Sequence, residues 1–118
     1  MAIVGVGVDV VDLERFAESL ERTPTLRQRI LTAAEGELSL TSMAGRFAAK
    51  EAFVKALRAP SGLSWTDIEV VVDERGAPSF VLSDLAAARV AELGITALHL
   101  SIAHDGPVAT AFVVAEAA

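Results

Sequence analysis

The segment Arg46–Leu57 places four charged side chains in an apolar helical pattern. Its sequence, RFAAKEAFVKAL, mixes Phe, Val, Leu and Ala with Arg46, Lys50, Glu51 and Lys55. On a helical wheel of roughly 100° per residue, apolar residues fall nearly all round the helix, and the charged residues form two narrow stripes between them. Such a helix is expected to be largely buried, and buried charges need partners.

The helix alone allows two interpretations of these charges. In the first, Glu51 and Lys55 pair across one turn, which stabilises an exposed helix by about 0.2–0.5 kcal/mol. That pairing leaves Arg46 and Lys50 with no acid on their own stripe. In the second interpretation, Glu51 faces a cation and the basic side chains face anions such as phosphates. The helix pattern favours neither.

A second isolated carboxylate, Asp9, favours the cation. It interrupts the β-like run IVGVGVDVV, where an unpaired carboxylate is costly, and Asp12 is better placed to cap the helix that follows. Asp9 and Glu51 together would leave most of the octahedron of Mg²⁺ to water and substrate phosphate oxygens. Ca²⁺ would need more protein oxygens. Zn²⁺ would need His or Cys, and the chain has two His and no Cys.

The predicted secondary structure around these residues indicates an α+β fold with mostly antiparallel strands. Val-rich or alternating patterns predict five strands, in the segments IVGVGVDVV, DIEVVVDE, PSFVL, ALHLSIA and VATAFVVA. The last four form two pairs, joined by turns around RGAP and HDGP.

Capping residues and apolar spacing predict the helices between these strands. The predicted features are a helix after Asp12 with Leu13, Phe16, Ala17 and Leu20 on one face, a helical turn in LRQRIL, a capping box at Thr32–Glu35, the charged helix from Thr41 or Ser42 to Leu57 or Arg58, and a helix capped by Ser83 and ended by Gly94.

The composition narrows the class of protein. A length of 118 residues predicts one domain, residues 1–118. A hydrophobic content of 53% is high for so small a chain and suggests that another subunit covers part of the surface. The net charge of −6 argues against a nucleic-acid or anionic-membrane binder. The short apolar N-terminal run is neither a signal peptide nor a membrane span, and the absence of Cys fits a cytoplasmic protein.

Three stretches, GVGVDVVDLERF, AGRFAAKEAFVKAL and HLSIAHD, occur in the order seen in a known family. They resemble the holo-[acyl-carrier-protein] synthases, the small type of 4′-phosphopantetheinyl transferase. The resemblance implies Mg²⁺-dependent transfer of 4′-phosphopantetheine from coenzyme A to a serine of apo-acyl carrier protein, releasing adenosine 3′,5′-bisphosphate. It also implies a 4′-phosphopantetheinyl transferase-like fold, in which a mostly antiparallel sheet packs with a long central helix. It further implies a homotrimer with active sites at the subunit interfaces.

The resemblance also assigns roles to individual residues. Asp9 and Glu51 would be the metal-binding carboxylates, and Lys55 would contact the phosphates of coenzyme A. Arg46 and His104 would lie near the nucleotide end, including the 3′-phosphate. Lys50 belongs to the shared motif but has no assigned role.

The acceptor of the serine proton is left open among Glu51, a metal-bound water and Asp105, and a water held by the carboxylates is favoured. From the residues alone, Asp105 in HDGP reads as turn chemistry, and His104 reads equally as a turn-edge residue or a ligand contact. The resemblance raises His104, and to a smaller extent Asp105, as catalytic candidates. His99 lies on the opposite strand face and is predicted to be structural.

An acidic carrier protein would need a local basic surface. The basic residues near the first helix are Arg15, Arg22, Arg27 and Arg29, and Arg15 matches a family position for carrier docking. Interspersed Glu14, Glu18 and Glu21 allow an ordinary solvated face instead. The loop 36–42 is short and has no Lys or Arg, so Arg46, His104 or a neighbouring subunit would carry more of the 3′-phosphate contact than in many relatives.

Two other functions are compatible with the pattern. One is a non-catalytic trimer of the same fold that binds coenzyme A or a nucleotide. The other is a structural protein in which the buried charges are salt bridges.

Overall fold

The structure is a computed structural model that describes all 118 residues, and it confirms the α+β class. In chain order the elements are β1 (Ala2–Asp12), α1 (Leu13–Arg22), α2 (Leu26–Ile30), α3 (Ala33–Gly36), α4 (Leu40–Ala56), a 3₁₀ turn (Trp65–Asp67), β2 (Ile68–Val72), β3 (Pro78–Leu82), α5 (Asp84–Glu92), β4 (Ile95–Asp105) and β5 (Val108–Ala117). The five predicted strands are all present.

Every strand pair is antiparallel. β1, β5 and β4 form a three-stranded sheet in that order, and β2 pairs with β3 in a separate hairpin. Because β5 lies in the centre, β1 and β4 are the two edges of the larger sheet. Asp9 on β1 is therefore separated by a whole strand from His104 on β4.

Helix α4 packs on one face of this sheet through small residues. Its fully buried alanines include Ala48 and Ala52. A Cβ added to Gly5 would lie 2.0 Å from the backbone oxygen of Ala56, and one added to Gly7 would lie 1.9 Å from that of Ala52. Only glycine allows this approach, so the backbone of β1 lies directly against α4. Since side chains alternate along a strand, Asp9 faces the helix as Gly5 and Gly7 do.

Helix capping follows the predicted pattern. The Asp12 side chain accepts a hydrogen bond from the Arg15 amide, Ser83 caps α5, and Thr32 with Glu35 forms a complete capping box. α4 begins at Leu40, one or two residues before the predicted start, because Ser39 provides the cap. It ends at Ala56 with Leu57 as its cap, and the chain turns away with positive φ at Arg58 and Ala59.

The face of the sheet opposite α4 is apolar and uncovered. Val6, Val8 and Val10 of β1 have exposed fractions of 52%, 49% and 62%, and Phe112 of β5 has 45%. These four residues are called the outer valine face below. Their exposure accounts for much of the apolar excess in the composition. No helix of the chain has the length and hydropathy to cross a membrane.

We expect Gly7→Ala to destabilise the fold by at least about 1–3 kcal/mol, because its methyl group would overlap a helix backbone oxygen that cannot rotate away. The free energy of unfolding, measured in urea, checks this. Gly36→Ala is the matched control, since its Cβ would meet only the Arg27 side chain at 3.5 Å. Equal stability of the two variants would contradict the close packing of β1 on α4.

Candidate active site

A groove of about 350 Å³ lies where β1, α1 and α4 meet. It contains three residues predicted from the sequence as site residues, Asp9, Glu51 and Arg15. Two aromatic residues, Phe16 and Phe47, form part of its wall and stack on each other with ring centroids 5.8 Å apart. The sequence identified Phe16 only as an apolar helix residue, and gave no role to Phe47.

Lys55 contacts β1 beside this groove. Its Nζ donates to Asp9 Oδ1 at 3.0 Å and to the backbone oxygen of Val8 at 3.0 Å. The Lys55 side chain is 53% exposed, and that of Asp9 is 17% exposed. The helix is largely buried, as predicted, but Lys55 near its end is exposed. The ion pair within α4 between Lys55 and Glu51 is also absent from the structure, because the amine turns to Asp9 instead.

Burial and neighbouring charges both act on the Glu51 carboxylate. Burial raises the pKa of Glu51 above its ordinary value of 4.5, the charge of Asp9 raises it further, and Lys55 opposes both. The influence of Asp9 on this pKa indicates that the two carboxylates repel each other. A bound cation would relieve that repulsion.

The donor set fits Mg²⁺ better than a metal that needs a full protein cage. The chain has no cluster of three or more His, Cys, Asp or Glu side chains that could hold a metal. Two carboxylates beside an open groove, as with Asp9 and Glu51, leave positions for water and substrate oxygens, which is how Mg²⁺ is commonly bound.

Arg46 lies outside this groove. It borders a separate cavity of about 230 Å³ together with Glu35, Glu69 and Val70. The Arg46 Nε is buried and has no hydrogen-bond partner within the chain. A buried donor without a partner is costly, so an anion or a second chain that reached this nitrogen would be stabilising.

His104 and Asp105 are exposed at the far edge of the sheet, at the end of β4. The His104 ring lies over Gly45, where its Nε2 would be 2.9 Å from an added Cβ. The glycine that precedes Arg46 thus makes room for this imidazole. The structure therefore brings Asp9, Glu51, Lys55 and Arg15 together but leaves His104 and Asp105 apart from them within one chain.

The structure gives Lys50 a role that the sequence left unassigned. Its side chain is fully buried, and its Nζ donates to Glu35 Oε1 at 2.5 Å, to the Ile30 oxygen at 2.8 Å and to the Trp65 oxygen at 3.2 Å. All three ammonium hydrogens therefore have acceptors. Burial lowers the pKa of Lys50, and the hydrogen bond and charge of Glu35 oppose that shift.

Glu35 is more than the helix cap that the sequence predicted. Besides its capping bond to the Thr32 amide at 2.9 Å, it accepts from the Val70 amide at 2.8 Å and is the counterion of Lys50. The pair joins α4 to α3 and β2. The sequence carried a signal for this ion pair, because Lys50 has no acid on its own helix stripe. The helix pattern could not identify the partner, because Glu35 lies 15 residues away in the chain.

The remaining predicted residues are on the surface. Arg15 lies in the groove, whereas Arg22 is exposed in the last turn of the same helix, outside it. His99 is exposed on the outer side of the sheet, where its Nε2 contacts a carboxylate oxygen of Glu116.

Glu51→Gln is expected to stabilise the metal-free protein increasingly as the pH rises. Because the pKa of Glu51 is raised in the folded state, the folded chain binds this proton more tightly than the unfolded chain does. The contribution of Glu51 to the free energy of unfolding therefore falls as the pH rises from about 4.5 through the pKa of the folded state. Thermal melts in a chelator should show a Tm difference between variant and wild type that grows over this interval. The exposed Glu74→Gln is the control, and a constant difference for Glu51→Gln would contradict the raised pKa.

Comparisons with known proteins identify the family of this chain. Residues 5–112 match the family model described as the 4′-phosphopantetheinyl transferase superfamily. The chain is 55% identical to a holo-[acyl-carrier-protein] synthase of Clavibacter michiganensis over 114 residues, which is 97% of this chain and 96% of that protein. For the synthase of Leifsonia xyli the identity is 53%, with 97% of each chain covered.

Solved structures show the same likeness. The holo-[acyl-carrier-protein] synthase of Helicobacter pylori, solved in complex with coenzyme A, superimposes with a TM-score of 0.82 at 32% identity, covering 94% of this chain and 99% of that one. The synthase of Neisseria meningitidis gives a TM-score of 0.87 at 32% identity, covering 98% and 99%. With a family model that spans almost the whole sequence, these matches show that the chain belongs to the 4′-phosphopantetheinyl transferase superfamily, among the holo-[acyl-carrier-protein] synthases.

Proposed function

We propose that this protein transfers 4′-phosphopantetheine from coenzyme A to a serine of an apo-acyl carrier protein. The observation that carries the proposal is the convergence of Asp9, Glu51 and Lys55 at one open groove. Relatives that are 55% and 53% identical to the chain are named holo-[acyl-carrier-protein] synthases, and the related Helicobacter pylori synthase was solved with coenzyme A.

The reaction is a displacement at phosphorus. The serine oxygen attacks the phosphorus that carries the pantetheine arm, and the bond from that phosphorus to the bridging pyrophosphate oxygen breaks. The electron pair leaves with adenosine 3′,5′-bisphosphate. Reactions of this kind depend mainly on positioning and on stabilisation of phosphate charge, and no covalent enzyme intermediate is needed.

The groove residues divide these tasks. Asp9 and Glu51 would hold Mg²⁺, which when bound would neutralise phosphate charge. Lys55 lies one helical turn after Glu51 and is half exposed, so its amine can pair with a phosphate oxygen. A water held by Glu51 and Asp9 would accept the serine proton.

Two features support a homotrimer with active sites between subunits. The outer valine face leaves four large apolar residues uncovered on one chain. The nucleotide-end candidates, Arg46 and His104, do not line the Asp9 groove of their own chain. A neighbouring subunit that brought its β4 edge to this groove would complete the site, and the buried Arg46 Nε and the exposed His104 would then meet the nucleotide phosphates.

The carrier protein would dock along α1. Arg15 and Arg22 are seven residues apart and therefore lie on one side of the helix, with Ser19 between them, and both Arg15 and Ser19 border the groove. The acidic residues Glu14 and Glu18 fall on the adjacent stripe. A basic stripe beside the groove would attract an acidic carrier despite the overall charge of −6.

The transfer reaction can be measured by intact mass. The protein with Mg²⁺, coenzyme A and an apo-carrier should add one phosphopantetheine to the carrier, and Asp9→Asn or Glu51→Gln should reduce the rate by about 100-fold or more. Glu14→Gln, which removes an exposed acid, should not. A folded protein that modifies none of several carriers would contradict the proposal, and coenzyme A binding without transfer would favour the non-catalytic alternative.

Shared sites predict complementation between two inactive variants. If each site uses Asp9 of one chain and His104 of the next, coexpressed Asp9→Ala and His104→Ala chains should recover about one-quarter of wild-type activity, because about one site in four is intact in random mixed trimers. Activity no greater than the average of the two separate variants would contradict the shared site.

Light scattering should give the mass of three chains, and Val8→Glu, on the outer valine face, should lower that mass.

A further inference from the structure

Lys55 occupies the position that a bound cation would claim. Its amine sits on Asp9 Oδ1 and on the Val8 oxygen, both at 3.0 Å. Asp9 has no other side-chain ion pair in the structure. The same carboxylate is one of the two that the proposed function assigns to Mg²⁺.

We propose that Lys55 is an exchangeable counter-cation: a divalent cation that binds Asp9 and Glu51 displaces the Lys55 amine from Asp9 and frees it for a phosphate oxygen of the donor. This inference rests on the proposed function and adds to it a coupling between metal and donor binding. No covalent bond changes in the exchange.

The contacts of Lys55 suit it to exchange. Its ammonium group uses two of its three hydrogens, its side chain is half exposed, and its four-carbon stem is flexible. An ammonium and a divalent ion that compete for one carboxylate repel each other. Once displaced, the Lys55 ammonium group can move to the open side of the groove, where water would solvate it. Donor phosphates would lie at the same place.

Lys50, five residues earlier on the same helix, shows the opposite design. It is fully buried and all three of its hydrogens bind acceptors that the fold supplies. Its release would leave Glu35 buried without its counterion. The two lysines therefore separate into a fixed structural cation and a mobile one.

Exchange predicts that metal and donor help each other to bind. A cation that removes Lys55 from Asp9 makes the amine available to phosphate, and phosphate that captures the amine vacates Asp9 for the cation. Linkage requires these two effects on affinity to be equal. Without donor phosphate, the released amine has only water to solvate it, and metal affinity is reduced accordingly.

The chain offers a direct test because Lys50 and Lys55 are its only lysines. In protein labelled with ¹³C at the lysine ε-carbon, only two ε signals are expected. Titration with Mg²⁺, without coenzyme A, should move the Lys55 signal towards that of a free lysine and leave the Lys50 signal unchanged. A Lys55 signal that stays in place while calorimetry shows Mg²⁺ binding would overturn the exchange.

Substitution gives a second readout that does not depend on activity. Lys55→Met should bind Mn²⁺, without coenzyme A, about five- to tenfold more tightly than wild type, because the competing charge is gone. Arg58→Met removes a positive charge from a surface outside the groove just past the end of the same helix and should bind as wild type does. Unchanged or weaker Mn²⁺ binding by Lys55→Met, or no binding by either protein, would overturn the inference. If the wild-type protein binds Mn²⁺ but transfers no phosphopantetheine, the proposed function would be contradicted instead.

Discussion

The close contact between β1 and α4 is the constraint on which the candidate site depends. Gly5 and Gly7 place the strand backbone against the carbonyl oxygens of Ala56 and Ala52, with no room for a side chain between them. This contact sets the height and rotation of the strand over the helix. Asp9, two residues farther along the same face, then shares the groove with Glu51 and comes within reach of Lys55.

The two lysines of α4 belong to different physical classes. Lys50 and Glu35 form a buried pair whose polar atoms are all satisfied by the fold. Such pairs add little net stability over apolar residues, but removing one partner typically costs about 3–5 kcal/mol. Lys55 and Asp9 form a partly exposed pair, which solvent screens. The first pair joins α4 to α3 and β2, and the second leaves its members available to other ions.

Several features of the isolated chain are unfavourable in free energy. Glu51 is a partly buried carboxylate near another carboxylate, and Arg46 has a buried nitrogen without a partner. The outer valine face exposes apolar side chains to water. Each of these features is unfavourable in an isolated, unliganded chain. A bound ligand or a covering surface would relieve each of them.

The sequence by itself determined the α+β class, the five strands and the main helix caps, and it singled out Asp9 and Glu51, which the structure places at one groove. These follow from local patterns: alternation of side chains, capping spacing, and carboxylates in apolar surroundings. The tertiary structure alone decided which charges meet. Lys55 bonds Asp9 rather than Glu51, and Lys50 bonds Glu35, because the packing of strands and helices brings distant residues closer than the helix brings its own neighbours. For the same reason, only the strand order shows that His104 and Asp9 lie on opposite edges of the sheet.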